Sequence, residues 1–81
     1  MLYNTPMITL YSADWCAYCH ATKQYLDKQG ATYEEKNIEK NPEFAIEAEK
    51  ISGQTGIPVI DIDGKIIIGF NRPEIEKALN K

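Results

Sequence analysis

The chain contains two cysteines, Cys16 and Cys19, with Ala17 and Tyr18 between them and Trp15 in front. On the first turn of a helix, residues at i and i+3 share one face, so the two sulfurs can bridge with little backbone movement. As a staple the bridge would be weak: closing so small a ring contributes roughly 2 kcal/mol, against about 3 kcal/mol for a 15-residue loop. A bond that forms readily and stabilises little suits a pair that opens and closes, which is redox chemistry. A structural zinc site wants about four ligands, and the sequence adds only His20, with no second Cys-x-x-Cys and no histidine pair. No metal is therefore expected to be obligatory. Inert buried cysteines are the remaining alternative, since free cysteine packs as a small hydrophobe. The position of the pair between a strand-like run and a helix-like one, behind a tryptophan, favours the reactive reading.

The flanking segments must position this pair. Met7-Ile8-Thr9-Leu10-Tyr11 is apolar almost throughout and predicts a central strand buried on both faces. Ser12 or Asp14 can cap the helix that follows, predicted from about Trp15 to Lys28 with Ala21, Thr22, Tyr25 and Leu26 facing inward and Gly30 ending it. With Asp14 as the cap, Cys16 falls at the second helical position. There, free N–H groups and the positive end of the helix dipole favour its thiolate. Cys19, one turn deeper, lacks that support. Cys16 is thus the expected nucleophile and Cys19 the resolving thiol.

Residues 32–38 read as a more polar strand at a sheet edge. Asn41-Pro42 starts a second helix, with Phe44, Ala48 and Ile51 at i, i+4 and i+7, and Gly53 stops it. A loop through Gln54 and Gly56 leads to Pro58. From there Pro58–Ile62, the turn Asp63-Gly64 and Lys65–Ile68 form a clear hairpin pattern. Gly69-Phe70-Asn71-Arg72 reads as a loop, and Pro73-Glu74 opens a third helix that packs Ile75, Ala78 and Leu79 inward to the chain end. Residues 1–6 read as a short lead-in. The order is βαβαββα, an α/β arrangement with a parallel crossover and an antiparallel hairpin in one sheet.

Composition narrows the function classes. At 81 residues the chain reads as one domain over residues 1–81. It is 43% hydrophobic and 26% charged, as soluble globular proteins are. No stretch reads as a membrane span or a secretory leader, so a cytoplasmic location is expected, and a reducing compartment favours a cycling disulfide. The net charge is −3 with scattered lysines, which argues against nucleic acid. Glu34, Glu35, Glu39, Glu43, Glu47 and Glu49 are expected mostly to face water, or to form a docking face for a basic reductase.

Trp15-Cys16-Ala17-Tyr18-Cys19 at a helix start, Gly56-Ile57-Pro58 at the head of a strand and Gly69-Phe70 after the hairpin together resemble the glutaredoxin branch of the thioredoxin-fold superfamily. The likeness runs from about Met7 to Leu79. It implies a thioredoxin fold of glutaredoxin type, a four-stranded mixed sheet flanked by three helices. It also implies a cis bond before Pro58 opposite the cysteines, with Ile57 offering its backbone to an extended thiol substrate. Glutathione is implied as reductant or ligand, and disulfide-containing proteins as partners of a monomer. Trp15, Tyr18, Ile57, Pro58, Gly69, Phe70, Asn71 and Arg72 are the implied substrate contacts.

The departures are informative. Ala17 stands where glutaredoxins usually have proline, Ala13 and Asp14 where a lysine is common, and Gly69-Phe70-Asn71-Arg72 where Gly-Gly and an acidic pair hold the glutathione carboxylate. Phe70 would crowd that pocket or cover the core, and Arg72 would add a charge there or be solvated. The Gly69–Pro73 segment is similar to that of redoxins that supply ribonucleotide reductase and are recharged by thioredoxin reductase. The expected activity is dithiol–disulfide exchange on protein disulfides or glutathione mixed disulfides. The competing class is an iron–sulfur carrier in which Cys16 from each of two chains and two glutathiones hold the cluster. Asp14 nearby and the lack of a cation beside the motif predict a Cys16 thiol less acidic than the most acidic in the superfamily.

Overall fold

The computed structural model describes residues 6–79 and follows the predicted order. The elements are β1 (Ile8–Ser12), α1 (Ala17–Lys28), β2 (Glu34–Asn37), α2 (Pro42–Ser52), β3 (Val59–Ile62), β4 (Lys65–Ile68) and α3 (Arg72–Leu79). The strands form one mixed sheet in the order β2-β1-β3-β4. β1 pairs in parallel with β2 and antiparallel with β3, and the β3–β4 hairpin is antiparallel. The expected lead-in at residues 1–5 and the run of the third helix past residue 79 lie outside the described residues. No described helix is long and apolar enough to cross a membrane.

Alternation along β1 divides the core in two. Ile8 and Leu10 join Tyr25 and Leu26 of α1, Ile60, Ile62 and Ile67 of the hairpin, and Ile75 and Ala78 of α3. Tyr11 turns the other way, toward Val59 and Ala48 of α2. Helices α1 and α3 therefore cover one face and α2 the other. Leu10, Leu26, Ile60, Ile62 and Ile75 are sealed from solvent, each such burial being worth about 1.5–3 kcal/mol. The central position expected for β1 follows from this two-sided burial.

The turns obey local chemistry. Asp63 and Gly64 have φ of 52° and 92°, the pair of positive values that a two-residue hairpin turn of the favoured hand requires. Asp61 Oδ1 accepts the Gly64 N–H at 2.8 Å. Asn41 caps α2 by accepting the Glu43 N–H at 3.0 Å, and Gly53 ends that helix.

Three details differ from expectation. Ile51 is exposed rather than inward. Only Ala48 of α2 is sealed; the helix is about 16 Å long over strands of about 13 Å, which leaves its last turn uncovered. Arg72 is the first residue of α3, not part of a loop, because Asn71, two residues before Pro73, caps the helix. The polar edge strand is shorter than residues 32–38, running from Glu34 to Asn37.

The two sheet edges have opposite character. β2 presents Glu34, Glu35 and Lys36, whereas β4 carries three consecutive isoleucines, with Ile68 49% exposed.

Candidate active site

The β1–α1 junction places the cysteines at the mouth of the sheet. Cys16 is itself the cap of α1, with extended backbone (φ −90°, ψ 105°), and its Sγ accepts the Cys19 N–H at 3.1 Å. The helix thus starts at Ala17, two residues later than expected, and neither Ser12 nor Asp14 caps it. Both are committed elsewhere: the Ser12 hydroxyl donates to Glu35, and Asp14 Oδ1 accepts from Asn37 Nδ2 at 2.9 Å. The sulfur thus accepts a backbone N–H at the head of α1 in a geometry other than the one expected. A sulfur that serves as cap acceptor at the positive end of a helix has its anionic form favoured by both the N–H and the dipole.

The two sulfurs are bonded to each other, with Cα atoms 5.2 Å apart. Cys16 retains 5% exposure and Cys19 none. Ala13, Ile38 and Ile57 pack around the pair. Trp15 and Tyr18 point outward, 68% and 69% exposed, so neither shields the bridge from solvent on its own account. The Ile57–Pro58 bond is cis; Pro58 is sealed and Ile57 half-buried against the cysteine cluster.

The Pro58 carbonyl accepts the Gly69 N–H at 2.8 Å, which ties the proline loop to the end of β4. Gly69 has φ of 80°, where an L side chain would be strained. Phe70 beyond it is half-buried and meets Tyr25 edge-on, ring centroids 6.0 Å apart. The Arg72 guanidinium lies over the same Tyr25 ring, 5.0 Å from its centroid. Asn71 Oδ1 accepts the Glu74 N–H at 3.3 Å as the α3 cap. Cys16, Cys19 and Ile57 are thus one cluster, Pro58 joins Gly69, and Phe70 and Arg72 gather further along α1 on Tyr25. Of the two roles open to Phe70, it takes that of covering the core; Arg72 stacks on an aromatic while keeping an exposed head.

A second set of contacts was not anticipated. Asp14 is held at three points: its N–H donates to Glu39 Oε1 at 2.8 Å, His20 Nε2–H reaches its carbonyl at 2.8 Å, and Asn37 bonds its carboxylate. The loop before Cys16 is therefore clamped from α1 and from the β2–α2 turn. Beneath it, the fully buried Ser12 hydroxyl bonds Glu35 Oε2, which also pairs with Lys23 Nζ at 2.8 Å. The Lys23 ammonium first, then Ser12, holds the Glu35 carboxyl below the usual range. On the α2 side, Glu47 takes bonds from Lys36 and from the Tyr11 hydroxyl, at 2.8 and 2.9 Å. Lys36 chiefly, and then Tyr11, depress the Glu47 carboxyl; burial and then Glu47 raise the Tyr11 phenol. Glu35 and Glu47 keep the contact with water expected of them and also serve as structural partners. Their lysines are 12 and 11 positions away on other elements, so no local signal marks them.

Among the described residues, no three His, Cys, Asp or Glu side chains cluster as metal ligands would. Chemically, the arrangement offers a disulfide whose Cys16 half keeps slight exposure and whose Cys19 half has none.

Comparison with known proteins places this geometry. The sequence model of the glutaredoxin family matches residues 8–67. An uncharacterized glutaredoxin-like 8.6 kDa protein from Clostridium pasteurianum, encoded in a rubredoxin operon, is 40% identical over 75 residues, covering 93% of this chain and all of that one. The glutaredoxin-like protein NrdH of Escherichia coli is 34% identical over 73 residues, covering 90% of this chain and 88% of its own. The structure of that NrdH-redoxin, described as the basis of a thioredoxin-like activity profile, superposes with a TM-score of 0.77 at 32% identity over 88% of this chain and 92% of its own. A glutaredoxin from Archaeoglobus fulgidus shares the fold, with a TM-score of 0.85 at 22% identity over 96% of this chain and 90% of its own. With the cysteine pair at the head of α1, the cis proline beside it and the four-stranded sheet all in the shared segment, the chain belongs to the glutaredoxin family.

Proposed function

We propose that the chain is a dithiol–disulfide oxidoreductase in which Cys16 attacks and Cys19 resolves. The observation that carries the role assignment is the difference between the sulfurs: Cys16 keeps a small exposure, 5%, and is the cap acceptor, while Cys19 has none. The Cys16 thiolate displaces one sulfur of a substrate disulfide, which leaves as thiolate and takes up a proton. Cys19 loses its proton and displaces the second substrate sulfur from Cys16, closing the Cys16–Cys19 bond. Two electrons and two protons pass to the substrate in all. Ile57, before the cis proline, offers backbone to an extended substrate, and the open rings of Trp15 and Tyr18 supply apolar contact around the sulfur.

For the electron donor, we propose thioredoxin reductase with NADPH rather than glutathione, with ribonucleotide reductase among the candidate acceptors. Two features support this. The segment assigned by resemblance to the glutathione carboxylate has Phe70 turned onto the core and Asn71 engaged as a helix cap. In addition, the NrdH relative, described as having a thioredoxin-like activity profile, is among the more similar proteins over nearly its whole length.

The deciding experiment is NADPH-coupled turnover of one disulfide substrate with two donors in parallel: glutathione with glutathione reductase, and thioredoxin reductase alone. Turnover with the reductase alone is the expected result. Turnover only with glutathione would overturn the donor assignment, and a brown protein on anaerobic purification would point instead to cluster carriage through Cys16.

A further inference from the structure

A shallow groove of about 240 Å³ runs along α1 beyond the cysteines, lined by Ala21, Gln24, Tyr25, Lys28, Phe70 and Arg72. Its floor is aromatic, the edge-on pair of Tyr25 and Phe70. Its rim is cationic and amide-bearing: Lys28, Arg72 and Gln24 are all exposed. Among the described residues neither Lys28 nor Arg72 has a carboxylate partner, whereas Lys23, Lys36, Lys65 and Lys77 are paired. Of the acids nearest in sequence, Glu74 bonds Lys65 and Lys77, and Asp27 and Glu76 form an ion pair with neither Lys28 nor Arg72; the lining itself holds two cations and no carboxylate. In a chain of net charge −3, this is a local concentration of uncompensated positive charge.

The groove lies further along the helix whose first turn carries the reactive centre. Gly69, bonded to Pro58, leads directly into Phe70, and Ala21 at the near end is about 7 Å along the helix axis from Cys16. Lys28 at the far end is about 18 Å away. A segment lying extended against Ile57, with one half-cystine on Cys16, advances about 3.3 Å per residue, so its side chains reach the groove some three to five residues from that half-cystine.

We infer that this groove is a specificity site for the substrate polypeptide: it receives an acidic segment, with Asp or Glu about three to five residues from the disulfide. The apolar floor takes the aliphatic part of the segment, and Lys28 and Arg72 meet its carboxylates. Arg72 is held over Tyr25 before any ligand arrives, which limits the side-chain entropy that binding must overcome. The inference rests on the disulfide-reductase reading and narrows it to a class of acceptor.

The test uses cystine peptides in matched pairs, one with two aspartates at the stated distance and one with asparagines there. One series has them on the N-terminal side of the half-cystine and another on the C-terminal side. Initial rates of reduction by the fully reduced protein are compared at low and high salt. In one of the two series the aspartate peptide is expected to react about five- to tenfold faster, as two screened charge pairs would give. That preference should shrink as salt shortens the screening length to about 3 Å at 1 M. The Lys28→Gln, Arg72→Gln protein should lose the preference, and Lys28→Glu, Arg72→Glu should reverse it, a change of sign that simple loss of structure does not produce. Equal rates for aspartate and asparagine peptides in both series would overturn the groove assignment while leaving the oxidoreductase reading in place. No reduction of any peptide would overturn the oxidoreductase reading and this inference with it. A preference that persists in both variants would place the recognition elsewhere.

Discussion

At the scale of single residues, the chemistry rests on unequal treatment of two identical side chains. Cys16 has a backbone donor and a helix end, while Cys19 has burial, so their replacements should differ in kind. Cys16→Ser should abolish reduction of every disulfide, and Cys19→Ser should stall as a mixed disulfide between Cys16 and its substrate, with no turnover on thioredoxin reductase; any residual activity of Cys16→Ser on a protein disulfide would reverse the assignment. The donor to Cys16 is a neutral amide, and the Asp14 carboxylate, two residues earlier in the chain, accepts from Asn37. The Cys16 thiol should therefore titrate above the most acidic thiols of its class, with ultraviolet thiolate absorbance showing a midpoint above about 4. The pair could be read from its spacing and its place before a helix. The cap could not, because cysteine is outside the usual set of capping residues and Ser12 and Asp14 both belong to it. Only the crossover to β2, which brings Glu35 and Asn37 alongside, shows why those two are occupied.

Elements were legible where punctuation was strong. The Asn41-Pro42 start of α2, the Asp-Gly turn and the hairpin strands around it all matched their local rules. Errors arose at ends, where tertiary cover decides: α1 starts at Ala17, α3 takes in Arg72, and Ile51 falls beyond the sheet that should have covered it. The clear cap at Asn41 lends itself to a direct check. Asn41→Ala removes the acceptor for the Glu43 N–H and should cost about 1 kcal/mol in urea unfolding while leaving the rate of disulfide reduction unchanged. A loss of rate without loss of stability would mean that this turn, which also carries Glu39 to Asp14, acts on the reactive loop.

For the molecule as a whole, topology followed from the element order, but the charge network did not, since its partners meet only across the sheet. That network sets the pH range of stability. Glu35 and Glu47 titrate below the ordinary 4.5 in the folded state, so their stabilisation is complete above that value and is lost as pH falls through the depressed one. Lys36 is raised above 10.5 by Glu47, and the Tyr11 phenol is raised above 10.0 by burial and then Glu47. Their share is present below those values and is lost as pH climbs past them. Urea midpoints measured across pH should fall at both ends, and Glu35→Gln, Glu47→Gln should flatten the acid side; an unchanged acid slope would show that these pairs contribute nothing there. The sheet edges have a consequence for handling. An isoleucine-rich border strand with an open backbone is a template for stacking one molecule on the next, while a border of glutamate and lysine is not. Concentrated stocks should therefore precipitate along the β4 side, and Ile68→Lys should delay the rise in light scattering on storage without altering turnover.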